Sequence, residues 1–205
     1  VRLAATLAQA VERHHPGLVM LCSFQKEESV LIDELVRIAG GRGQVPRIVT
    51  IDTGVLFPET LETWRAFEER FGIKIEVQDA TGPWTGPDNC CSAAKVAGLE
   101  RALDGVDGWI TGIRREQGPT RAETQPVEFD EARGIWKYNP LYDWTEQDLW
   151  RRINERDLPY HPLHDQGYAS IGCAPCTLPG SGREGRWAGT DKTECGLHLT
   201  AVEPS

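Results

Sequence analysis

The chain has 205 residues, a formal net charge of −9, and 40% hydrophobic and 26% charged residues. That length suits one well-buried core, and the composition is that of a soluble globular protein with no run of roughly 18 apolar residues able to span a membrane. The acidic balance argues against broad, sequence-independent nucleic-acid binding, but a small anion needs only a few convergent Arg, Lys and N–H groups.

In chain order, Leu3–Val11 carries apolar residues at helical spacing, so the region reads as helix, not as a secretory leader. Leu18–Cys22 is a short apolar run typical of a buried parallel strand. It leads through Ser23–Lys26 into a helix from Glu27 to Ala39, ended by Gly40, Gly41 and Gly43. The pattern repeats: a strand over Arg47–Ile51, Asp52-Thr53-Gly54, and a helix from Pro58 to Phe71. A third strand spans Lys74–Val77, a further helix begins near Cys90-Cys91, and a fourth strand spans Gly108–Thr111. Alternation of this kind predicts an α/β fold with a parallel sheet. Beyond it, Val127–Phe129 and Ile135–Tyr138 read as a hairpin, and Thr145 caps a helix to about Asn154. The division predicted is a domain over residues 1–176 and a mobile C-terminal flap over 177–205.

Six cysteines without a leader point to a reducing, cytoplasmic setting, where clustered thiols bind metal or do redox chemistry. Cys90-Cys91 and Cys173-Ala174-Pro175-Cys176 form a CC…CxxC set. The CxxC turn aims two thiolates at one centre, and an adjacent pair can do the same at the start of a helix. On chemistry alone zinc and an iron–sulfur cluster both suit four thiolates. Cys195 lies in a polar segment between Lys192 and His198, which favour its thiolate, with Glu194 opposing; it reads either as a nucleophile or as an exposed thiol. Cys22, at the end of an apolar strand, reads as structural.

These residues, with Ser23-Phe24-Gln25-Lys26-Glu27-Glu28-Ser29, Ile51-Asp52-Thr53-Gly54, Thr111-Gly112-Ile113-Arg114-Arg115 and Tyr138-Asn139-Pro140-Leu141, resemble the adenylyl-sulfate/phosphoadenylyl-sulfate reductase family. Arg183-Glu184-Gly185-Arg186-Trp187 and Glu194-Cys195-Gly196-Leu197-His198 complete the likeness, which covers nearly the whole chain. The resemblance implies an adenine-nucleotide α-hydrolase-like (ATP pyrophosphatase-like) α/β fold. The glycine-rich phosphate loop of the pyrophosphatases is changed here, with Phe24 and Gln25 in place of glycines.

Within the family the CC…CxxC set accompanies a [4Fe–4S] cluster and adenylyl-sulfate as substrate. The resemblance therefore implies Cys90, Cys91, Cys173 and Cys176 as ligands and Cys195 as nucleophile. It implies substrate contacts from Ser23, Phe24, Gln25, Lys26, Thr53 and Gly112, anion binding by Lys95, Arg121, Arg183 and Arg186, and His198 holding the flap. Thioredoxin is the implied reductant; no nucleic-acid or membrane partner is implied, and homo-oligomerisation is left open. The rival readings are a reductase of the 3′-phosphorylated nucleotide, a tRNA-thiolating iron–sulfur enzyme and a zinc-stabilised nucleotide sensor.

Overall fold

Leu18 and Met20 of β1 (Leu18–Leu21) face one apolar cluster and Val19 the other, so this strand is buried on both sides, as a continuous apolar run requires. The structure is a computed structural model in which residues 2–82 and 93–187 are described. β2 (Arg47–Asp52) and β4 (Gly108–Ile110) flank β1 in parallel, and β3 (Ile75–Asp79) pairs parallel with β2. The predicted hairpin is β5 (Val127–Asp130) and β6 (Ile135–Tyr138). It extends the same sheet, with β6 parallel to β4 and β5 antiparallel at the edge. The order is β3-β2-β1-β4-β6-β5.

Helices α1 (Arg2–His14), α2 (Lys26–Ala39), α3 (Pro58–Phe71) and α5 (Glu146–Glu155) contribute to the larger cluster on one face. Leu99, Ala102 and Leu103 of α4 (Ala93–Leu103) contribute to the smaller one on the other. Thr145 caps α5: its hydroxyl accepts from the Asp148 N–H at 3.1 Å, and the Asp148 carboxylate accepts from the Thr145 N–H at 3.0 Å.

Over residues 177–187 the segment after the second cysteine pair is held by specific contacts despite its lack of periodicity. Leu178 N–H donates to Gly185 C=O at 2.8 Å, Trp187 N–H donates to Cys176 C=O at 3.0 Å, and the Trp187 ring is buried. Hydrogen bonding within one turn and a single aromatic anchor leave no trace in a hydropathy pattern. Cys90, Cys91, Cys195 and His198 lie outside the described residues, as does most of the predicted flap.

Candidate active site

A cavity of about 200 Å³ opens at the carboxyl ends of β1, β2 and β4, closed on its far side by residues from Ala169 to Cys173 and from Gly182 to Arg186. It sits where the strand order reverses, the position at which open α/β sheets place their ligands.

The β1–α2 turn forms the floor. Phe24 has φ +61, the left-handed backbone that a glycine would supply, and so keeps the path of a glycine loop without the glycine. Its ring is buried and stacked on Trp64 with centroids 5.5 Å apart, which offsets the backbone strain. The Gln25 side chain is spent on the opposite wall: its amide donates to Ile171 C=O at 2.6 Å and accepts from Ile171 N–H at 2.9 Å. The turn is not simply a row of free N–H groups, since the Gln25 N–H donates to the Glu28 carboxyl at 2.7 Å. The Glu28 N–H is engaged as well, donating to Gln25 C=O at 3.1 Å.

Lys26, Lys95, Arg121, Arg183 and Arg186 all line this cavity, as do Ser23, Phe24, Gln25 and Gly112. The Lys26 ammonium is buried between Ala169 C=O at 2.8 Å and Glu146 at 2.9 Å. The guanidiniums of Arg183 and Arg186 lie over the Trp187 ring, at 5.3 and 4.6 Å from its centroid, so the i, i+3 spacing does bring both to one side. Arg186 also donates to Ile171 C=O at 3.2 Å. Gly172 leaves room for that guanidinium: a Cβ there would come within 2.5 Å of it. Thr53 does not reach the cavity wall; its hydroxyl lies 3.1 Å from the Cys173 sulfur.

Sequence reasoning assigned no role to a second tier of residues. Glu27 accepts from Arg114 Nε at 2.9 Å and from the Gln117 amide at 3.0 Å. Gln117 in turn accepts from the Arg114 N–H and from the Arg121 guanidinium, tying that cation to α2. Burial opposes ionisation of Glu27, but Arg114 and Lys26 outweigh it and hold the carboxyl below its ordinary range. For Glu28 burial and the neighbouring Glu27 prevail, and its carboxyl is pushed up to about 8. Cys22 is buried as expected, yet it also borders the cavity; burial, reinforced by Glu28, raises its thiol well above the usual range. The signals for this tier were the run Lys26-Glu27-Glu28 and the motif that holds Arg114, and an acidic first turn is explained equally well by the helix dipole.

Cys173 and Cys176 are buried with Trp187, Val55 and Leu56 around them, and the Cys176 N–H donates to Cys173 C=O at 3.2 Å. The turn is therefore tight, both sulfurs belong to one pocket of the fold, and Cys173 also touches the cavity. The Cys176 sulfur is in a disulfide whose partner lies outside the described residues. Among the described residues no group of three or more His, Cys, Asp or Glu is placed to hold a metal ion. With the Cys176 disulfide reduced, Cys173 and Cys176 would suit half of a thiolate site, and the remaining candidates lie elsewhere in the chain.

Residues 17–179 match the phosphoadenosine phosphosulfate reductase domain family. The chain belongs to that family. It is 45% identical to the adenosine 5′-phosphosulfate reductase of Bacillus pumilus, over 95% of this chain and 89% of that one. It is 42% identical to the phosphoadenosine 5′-phosphosulfate reductase of Gloeobacter violaceus, over 95% and 87%. In fold it is similar to the phosphoadenylyl-sulfate reductase of Candida auris, with a TM-score of 0.70 at 24% identity, over 86% of this chain and 90% of that one. The family's sulfonucleotide chemistry accounts for a cavity with several cations in its wall at the switch point of the sheet. It also gives meaning to motifs distant in sequence: Thr111 and Asn139 meet in the core, the hydroxyl donating to the amide oxygen at 2.6 Å, which locks the exit of β4 against the exit of β6.

Proposed function

We propose that this chain reduces adenylyl-sulfate to sulfite and AMP with electrons from thioredoxin, a cytoplasmic step of sulfate assimilation. The observation that carries the reading is the convergence of Lys95, Arg121, Arg183 and Arg186 on one cavity at the switch point of the sheet, beside Cys173. The 5′-phosphosulfate group is a compact anion that such a wall can hold. The same cations offset the repulsion between a thiolate and its anionic target, and the charge that develops on the departing phosphate.

In the proposed chemistry the Cys195 thiolate attacks the sulfur of the bound substrate. An S–S bond forms, the S–O bond to phosphate breaks, and AMP leaves with the electron pair. The enzyme then carries Cys195–S–SO₃⁻. A thioredoxin thiolate attacks the Cys195 sulfur and releases sulfite, and the second thioredoxin thiol resolves the mixed disulfide, which returns Cys195 as a thiol and leaves thioredoxin oxidised. Residues 177–205 would act as the catalytic flap on the domain formed by 1–176, with His198 holding it over the ligand.

We assign Cys90, Cys91, Cys173 and Cys176 to a [4Fe–4S] cluster; the buried CxxC turn supports this, and the assignment requires the Cys176 disulfide to be open. When bound, the cluster would supply a fixed local field beside the cavity, since a thiol route for two electrons needs no further carrier. Lys95, one turn beyond the Cys pair, would be positioned by the same cysteines.

For Cys195→Ser the expected outcome is retained brown colour and AMP binding with no sulfite formed; turnover by that variant would sink the mechanism. Iron and labile sulfide measured in an anaerobic, thiol-reduced preparation should both be present, whereas zinc without colour would point to a sensor. Reduction of the 3′-phosphorylated nucleotide is the second reading, favoured by the Gloeobacter relative. Comparison of kcat/KM for the two nucleotides decides between them.

A further inference from the structure

The first turn of α2 sets two carboxyl groups on the wall of a cavity that six cations and the carboxylates of Glu116 and Glu146 also line, and the two are held differently. Glu27 is neutralised by Arg114 at 2.9 Å. Glu28 has no ion pair among the described residues. Its Oε2 accepts from the Gln25 N–H at 2.7 Å and the Ser23 hydroxyl at 3.3 Å. Its Oε1 has no hydrogen bond among the described residues and lies against Gly112, where a Cβ would come within 2.8 Å of it. The side chain is only 4% exposed, and it borders the cavity.

We propose that Glu28 is a neutral carboxylic acid that presents an O–H from Oε1 into the cavity, as a hydrogen-bond donor to an anionic oxygen of the bound nucleotide. This rests on the reading that a nucleotide fills the cavity. The groups around Glu28 agree. On its own helix it faces the Glu27 carboxylate, which opposes a second negative charge, and beneath it the Cys22 thiol stays protonated. Of the cations lining the cavity, Lys26 is engaged by Glu146 and Arg114 by Glu27, while Lys95, Arg121, Arg183 and Arg186 complete the wall. A ligand anion held among them would meet a carboxylate at contact distance if Glu28 ionised. With the proton in place it meets another donor, which removes the conflict between an acidic first turn and an anionic ligand.

The test is calorimetric titration with AMP between about pH 7.5 and about pH 9.5, where the phosphate of AMP, with its second pKa at about 6, is already almost wholly ionised. The affinity of the unaltered protein should fall more than about tenfold across that range, and Glu28→Gln, which keeps a neutral donor, should stay within about threefold. Parallel profiles for the two proteins overturn the inference alone; failure of AMP to bind at any pH overturns the nucleotide reading with it. Should Glu28→Gln not fold, the buffer dependence of the binding heat at about pH 8.5 decides. Proton uptake on AMP binding supports the acid, and none overturns it.

Discussion

The two ring nitrogens of His161 are committed in opposite senses. Nδ1 accepts from the Leu163 N–H at 3.3 Å, so the proton sits on Nε2, which lies 2.9 Å from the Thr60 hydroxyl and donates to it. The ring is fully buried, and that burial, with His164 adding a little, pushes its pKa down to about 4. An unfolded histidine titrates near 6.5, so between that value and 4 the unfolded chain binds the extra proton. Stability therefore falls as pH drops through this window, by up to about 3 kcal/mol. In urea unfolding, the stability advantage of the natural protein over His161→Asn should shrink as pH is lowered from about 7 to about 5; an unchanged gap would show that the ring is protonated in the fold. The cations that line the cavity were legible because motif resemblance carried them one residue at a time. Their supports, Glu27 and Gln117, were not, because a polar side chain reveals its partner only in tertiary structure. Thr53 shows the converse: its motif was recognised, yet its hydroxyl faces Cys173 and not the cavity.

At the level of elements, periodicity and end signals located the helices and strands to within a few residues, because burial on both faces of the sheet writes itself directly into the sequence. Loops were another matter. Nothing local indicates that Phe24 takes up a positive φ, since its stability there comes from Trp64 and Phe67, on a different helix. The β1–α2 turn thus replaces glycine's freedom with aromatic packing. Loss of the ring should cost about 3–5 kcal/mol in Phe24→Ala. Phe24→Gly should be the more stable of the two by about 1 kcal/mol, the reverse of the usual order, because only glycine adopts this backbone without strain. Equal unfolding midpoints for the two variants would show that the turn relaxes to another conformation.

The site belongs to the whole molecule: its walls come from the exits of three strands and from a return segment that begins at Ala169. A ligand that binds only this assembled form stabilises it by mass action, by about 2.7 kcal/mol at a hundredfold excess over Kd. AMP should therefore raise the melting temperature. In Gly172→Ala most of that rise should vanish while the unliganded midpoint hardly moves, because the added methyl displaces the Arg186 guanidinium, the end of a long side chain, and no backbone atom lies closer than it. A large loss of unliganded stability would instead place Gly172 among residues the fold itself requires. The paired hydrogen bonds between the Gln25 amide and Ile171 carry a consequence for the order of events in the cell. On a ribosome the first partner emerges 146 residues before the second, so the early strands and helices must settle with that amide still hydrated. A nucleotide that needs both walls of the cavity can latch only a chain whose synthesis has already passed Arg186.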